Sequence, residues 1–135
     1  MPNHRLLFTS LVFVVAIAAL HVVASRYYLY WTMWWFDIPM HVLGGMWISI
    51  MTLWLLVRLR QEMQEKRQAV IVFLTVIGVG VLWELFEAGY LDIMHEPGYV
   101  FDTLSDLLND LCGGALGYLL ALPLARPLPL EPRLS

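Results

Sequence analysis

The sequence predicts an all-α integral membrane protein, a four-helix bundle with both termini cytoplasmic. Three observations predict it. Of the 135 residues, 60% are hydrophobic and only 14% charged, whereas a soluble domain carries about a quarter charged residues. The apolar residues gather into four runs of bilayer-spanning length. The basic residues are segregated. Arg5, Arg58, Arg60, Lys66, Arg67, Arg126 and Arg133 fall on one side of a four-span topology and Arg26 alone on the other, so the positive-inside rule sets the orientation. Residues 1–125 form one transmembrane domain, with spans at about 6–25, 39–58, 69–88 and 103–122. Residues 126–135 form a Pro-rich cytoplasmic tail.

Leu6 to Ser25 is a continuous apolar run. Val23-Ala24-Ser25 resembles a small-residue cleavage site, but the run is long for a signal-peptide core, so an uncleaved first span is expected. His21 lies near its far end, as an interfacial residue or a supplementary ligand. The next stretch, RYYLYWTMWWF from Arg26 to Phe36, is dense in Tyr and Trp. Such rings settle at the headgroup level, and here they also stand where a lid over a polar site would be. The second span opens at Asp37-Ile38-Pro39, an acidic N-cap with Pro in the first turn. His41 follows one turn later on the face of Asp37. Gly44 and Gly45 then allow close helix approach. The polar stretch from Arg58 to Arg67 is the most basic loop.

The third span is rich in Val and Ile and broken by Gly78 and Gly80. Glu84 and Glu87 share a face in its last turns. The helix macrodipole disfavours negative charge there, so capping does not account for them. Asp92, His95 and Glu96 follow in a loop, where His95 and Glu96 read as solvated residues, and Pro97-Gly98 marks a turn. The fourth span begins at Asp102 or Thr103 as a cap. Asp102, Asp106 and Asn109 or Asp110 then form one polar stripe. Asp110 sits about 10 Å below that helix start, too deep for a cap. Gly113, Gly114 and Gly117 supply a small-residue packing surface. Cys112, the single cysteine, reads as a small packing residue.

The stretch from Trp83 to Asp110 holds seven carboxylates, and no Lys or Arg occurs between Arg67 and Arg126. Carboxylates within a membrane need a proton, a metal ion or a cationic ligand to balance them. In the predicted topology, the polar residues of all four spans meet at the non-cytoplasmic side. Carboxylates and imidazole projecting from facing helices are how bundles build metal sites. Asp37, His41, Glu84, Glu87, Asp102, Asp106 and Asp110 are therefore the candidate metal ligands. Glu87 and Asp110 are the candidate catalytic carboxylates, as general base or ligand to a second metal. Mixed nitrogen and oxygen donors suit Zn²⁺, Mn²⁺ or Fe²⁺, and an oxygen-only subset suits Mg²⁺ or Ca²⁺. Two alternatives stay open. The acids can share protons along a proton or cation pathway, or serve as protonated, hydrogen-bonded structural groups between helices.

Span two opens D-I-P-M-H-V-L-G-G, span three ends W-E-L-F-E, and span four reads D-T-L-S-D-L-L-N-D-L-C-G-G-A-L-G. Over residues 37–117 this succession resembles the small polytopic VanZ-like and YjdF-like membrane proteins. The resemblance carries over to Asp37, His41, Gly44 or Gly45, Glu84, Glu87, Asp102, Asp106, Asn109 or Asp110, and Gly113 or Gly114. Glu87 stands where VanZ-like proteins often have Gln. The resemblance implies a bacterial inner-membrane protein and supports the fold and site more than any reaction. The expected activity is metal-assisted hydrolysis or transfer on a lipid or lipid-linked envelope substrate. Membrane lipid is then the expected partner, in a homo-oligomer or larger membrane complex; no nucleic-acid motif occurs. The competing functions are a small non-catalytic subunit of a larger membrane complex and a proton- or cation-coupled transporter.

Overall fold

The computed structural model describes residues 3–59, 64–91 and 97–125. They form α1 (Asn3–Arg26), α2 (Leu29–Thr32), α3 (Asp37–Arg58), α4 (Glu65–Leu91) and α5 (Tyr99–Ala125), with no strand among them. All but α2 are long and apolar enough to cross a membrane. Asp92, His95, Glu96, Arg60, Glu62 and the tail at 126–135 lie outside the described residues.

The helices outrun the hydropathic spans. The 27 residues of α5 rise about 40 Å, against about 30 Å of hydrocarbon. Backbone hydrogen bonding continues into the headgroup layer, where hydropathy no longer marks it. This moves the expected caps. Asp37 is not an N-cap: Phe36 holds that position without a side-chain bond, and Asp37 opens the first turn of α3. Neither Asp102 nor Thr103 caps the last span, because α5 already starts at Tyr99. Pro123 lies inside the last turn of α5. The carboxylates thus freed from capping are available to one another.

The tightest pairing is α3 against α5. A Cβ on Gly113 would collide with the backbone of Val42, and one on Gly117 with that of Met46. Four residues along α5 match four along α3, so the two helices run parallel, backbone against backbone. Gly45 is the reciprocal small residue, facing the Asp110 carbonyl. Such approach is how membrane helices associate when lipid is as apolar as Leu. It also brings the Ser49 hydroxyl to 2.6 Å from the Gly114 carbonyl, to which it donates.

Below this crossing, Leu6, Ile50, Leu53, Val72, Val76, Tyr118 and Ala121 make an apolar core drawn from all four long helices. Tyr118 closes it by donating to the Glu65 carbonyl at 3.1 Å. The first helix is held more lightly, through Trp47 Nε1 donating to the buried Ser10 hydroxyl at 3.0 Å. Apolar packing therefore occupies one end of the bundle and leaves the other to polar groups.

Replacing Gly113 by Leu should cost at least about 2 kcal/mol through overpacking. Gly78 has open space around its Cβ position, so Gly78→Ala should be neutral or mildly stabilising. Reversible unfolding in detergent checks both. Equal effects from the two changes would sink the close-approach account.

Candidate metal centre

His41 stands in the second turn of α3 and is 7% exposed. Its two ring nitrogens face different partners. Nε2 lies 3.6 Å from Asp37 Oδ2 and 3.9 Å from Asp106 Oδ1. Nδ1 lies 3.2 Å from Asp110 Oδ1, within hydrogen-bonding distance. Asp37 reaches His41 by helical spacing, four residues earlier. Asp106 and Asp110 reach it because α3 and α5 touch through glycine. One donor atom each from Asp37, His41 and Asp106 falls within 4.8 Å of the others.

Those spacings can be weighed against a bound ion. A tetrahedral ion with bonds of about 2.1 Å sets its ligand atoms about 3.4 Å apart. The Nε2 distances are slightly wider than that and too long for hydrogen bonds. Nitrogen and carboxylate donors around a common point suit Zn²⁺, Mn²⁺ or Fe²⁺. The Nδ1 contact supplies what such a centre requires behind it: a ligating imidazole gives its other N–H to a carboxylate, which fixes tautomer and ring orientation. Asp110 stands at that ring nitrogen. Its carboxylate is packed beside α4, where a Cβ on Gly80 would come within 2.6 Å of Oδ2.

The remaining sequence-predicted residues sort by depth. Glu84 is 6% exposed and within electrostatic reach of His41, Asp37 and Asp110. Glu87 is half-buried, within reach of Asp37, Glu84 and His41. Asp102 is exposed, one turn outward from Asp106. His21 joins the Tyr30 hydroxyl through Nδ1 at 3.0 Å and does not enter the triad. Among the described residues, the ion pairs of this end all pass through His41.

The aromatic stretch comes closer than composition alone indicates. Tyr28 takes a left-handed turn, φ 58°, that reverses the chain into α2. Tyr30 then packs edge-on against Phe36 with ring centres 5.4 Å apart. Burial, followed by the negative charge of Asp37 and Glu87, pushes the Tyr30 phenol above the ordinary tyrosine value. Sequence reasoning also passed over Gly80, read as a helix break, and Thr103, read as a cap. Their spacing did carry a signal, since Thr103 is one turn from Asp106 on α5 and Gly80 one turn from Glu84 on α4.

Four apolar spans around an acidic, histidine-centred cluster define a multi-pass membrane protein with a polar site at one end of its bundle. The chain belongs to the family described as "Predicted membrane protein (DUF2238)", which matches residues 3–126. No curated protein and no solved structure matches it.

The phenol of Tyr30 should ionise above the ordinary tyrosine range, read as an ultraviolet difference titration against Tyr30→Phe. Negative neighbours raise it, so Asp37→Asn should lower it without fully restoring the ordinary value, because burial remains. An ordinary value in both proteins would separate Tyr30 from the site.

Proposed function

We propose that this protein binds a divalent metal ion at Asp37, His41 and Asp106, with Asp110 as the residue that orients His41. One observation carries the proposal: the His41 ring offers Nε2 to two carboxylates at 3.6 and 3.9 Å while Nδ1 is engaged by a third at 3.2 Å. Zn²⁺, Mn²⁺, Fe²⁺ and Mg²⁺ remain the ions to test, and the nitrogen donor favours the first three.

We further propose metal-assisted hydrolysis or transfer on a lipid or lipid-linked envelope substrate. Bound here, the ion would polarise a phosphoryl or carbonyl oxygen and lower the pKa of a coordinated water. Glu87 is the carboxylate available to accept a proton: it is half-buried near Asp37 and His41, whereas Asp110 is committed to the imidazole. Asp102 lies further out and is assigned to attracting the cation rather than holding it. The exposed Trp31 and Trp34, in the segment that leads into Asp37, support a headgroup-level location and hence a lipid substrate. The charge asymmetry supports placing both termini in the cytoplasm and the site in the outer leaflet. The resemblance to VanZ-like and YjdF-like proteins supports a bacterial inner membrane. Lipid, and a second copy or a larger membrane complex, are the partners to seek.

Protein purified in mild detergent without chelator should carry transition metal by elemental analysis. Asp106→Ala and His41→Ala should abolish it while helicity by circular dichroism is retained. Asp110→Asn should weaken binding by about 10- to 100-fold rather than abolish it, as for other residues that support a ligating histidine. A wild-type protein that takes up no metal under titration would end the proposal.

A further inference from the structure

The outward side of α5 carries a pattern that the acidic site does not use. Leu107 against Gly80 and Gly114 against Val76 mark the side of this helix that meets α4; Gly113 and Gly117 mark the side that meets α3. At about 100° per residue, Ser105, Asn109, Cys112, Leu116 and Leu119 fall opposite the α4 side. Their spacing alternates four and three residues, the seven-residue repeat of a helix that packs lengthwise against another. Cys112, Leu116 and Leu119 are exposed, and Ser105 and Asn109 are half-buried, so this side faces out of the bundle.

Two of these residues are out of place against lipid. Neither Ser105 nor Asn109 makes a side-chain hydrogen bond among the described residues. Asn109 lies ten residues beyond Tyr99, the start of α5, about 15 Å along the axis. The helix overruns the hydrocarbon by about 10 Å in all, so Asn109 is inside the hydrocarbon wherever that overrun falls. Lipid tails offer an amide neither donor nor acceptor. A second copy of the chain offers both, because each amide holds N–H donors and a carbonyl acceptor. Two Asn109 side chains related by a two-fold axis along the membrane normal satisfy each other, and the symmetry guarantees that they meet at one depth. Asn at a single core position of a heptad repeat is also what fixes a parallel helix pair in register. Asn109 holds such a position here, with Cys112, Leu116 and Leu119 at the next three.

We infer that this protein forms a parallel homodimer along the outward side of α5, with the Asn109 side chains of the two copies hydrogen-bonded across the two-fold axis. Small Ser105 and Cys112 let the helices approach on either side of that bond, as small residues do between membrane helices, and Leu116 and Leu119 pack below it. Asp102 continues the repeat at the exposed outer end, where water and salt screen the two like charges. A two-fold axis along the membrane normal keeps both acidic ends on one side of the membrane. This makes specific the second copy proposed above as a partner, and it holds whether or not His41 carries a metal.

The test uses full-length protein in phospholipid vesicles, oxidised with molecular iodine and run on a non-reducing gel. Cys112, the single cysteine, should give a disulfide-linked dimer, which requires Cα atoms about 4.4–6.8 Å apart. In a Cys112→Ser background, Leu116→Cys and Leu119→Cys should cross-link as well, whereas Leu74→Cys, exposed on α4, should not. In detergent, sedimentation equilibrium should show association weakened about 3- to 20-fold by Asn109→Leu, the range of hydrogen bonds between membrane helices. Asn109→Gln, which keeps donor and acceptor, should retain most of it, and circular dichroism confirms that both variants are helical. No cross-link at these three α5 positions, or equal cross-linking through Leu74→Cys, overturns the interface and assigns this side of α5 to lipid or to a different protein. An association constant unchanged by Asn109→Leu overturns it equally. Metal content is measured on the same preparations: a metal-loaded monomer removes the interface alone, and a metal-free dimer removes the His41 centre alone.

Discussion

The contact on which the site depends is the one between the backbones of α3 and α5. Helices separated by ordinary side chains pack 8–10 Å apart, axis to axis. Gly113 against Val42, and Gly117 against Met46, remove the side chains that would hold these two at that distance. Because the helices are also parallel, their first turns end at one level. His41, four residues before Gly45, then meets Asp110, three before Gly113. The glycines thus fix the register of the cluster without belonging to it. The Ser49 bond to the Gly114 carbonyl strengthens the same crossing from its apolar side.

The cluster so assembled is electrostatically one-sided. His41, Asp106, Asp110 and Glu84 are all buried, in a chain whose surroundings include hydrocarbon. Taking an ion out of water costs several kcal/mol even after relaxation. A hydrogen bond to a charged group returns about 1.5–3 kcal/mol, so the bond between His41 and Asp110 cannot by itself balance the other carboxylates. Protonation of some acids would lower the burden, and a charged His41 would pair with the carboxylates around it. On the reading proposed above, a divalent cation would supply the balance, drawing oxygens and a nitrogen toward a point rather than pairing them.

Much of this was legible in the sequence, for definite reasons. Membrane spans are long and must satisfy their backbone internally, so hydropathy and length locate four helices without knowledge of their packing. The spacing of Asp37 and His41, and of Asp106 and Asp110, places each pair on one helical face regardless of context. What spacing cannot give is the direction of a ring. Asp110 reads as a ligand or base equal to Asp106, and the three-dimensional arrangement adds that its carboxylate lies 3.2 Å from the second ring nitrogen, Nδ1. Capping was misjudged for a related reason. Pro39 and Asp102 looked like helix starts because hydropathy rises there, whereas the helices begin earlier, in a layer where sequence polarity no longer reports secondary structure. Gly80 lies one turn from Glu84, but only the three-dimensional arrangement shows that its missing side chain leaves room for the Asp110 carboxylate, thirty positions away.

The depth of each acid fits the division of roles proposed for them. Asp102, in the first turn of α5, is exposed; the Asp37 side chain is 42% exposed, and those of Asp106 and Asp110 are each 7% exposed. From Asp102 to Asp110 the helix descends about 12 Å. Carboxylates near the aromatic belt keep water and can capture a cation at little desolvation cost. Deeper ones hold a fixed geometry because nothing competes with their partners. A cation moving inward would thus meet a solvated acid, then two ligands and an imidazole, and finally the carboxylate that holds the imidazole still. The order matters chemically. Were Asp110 at the mouth and Asp102 at the base, the imidazole would be oriented by a mobile, solvated partner, and the ion would have to shed its water before meeting its first ligand. On the proposed reading, an outer end that attracts and an inner end that orients would let a headgroup-level substrate reach a bound ion without movement of α3 or α5.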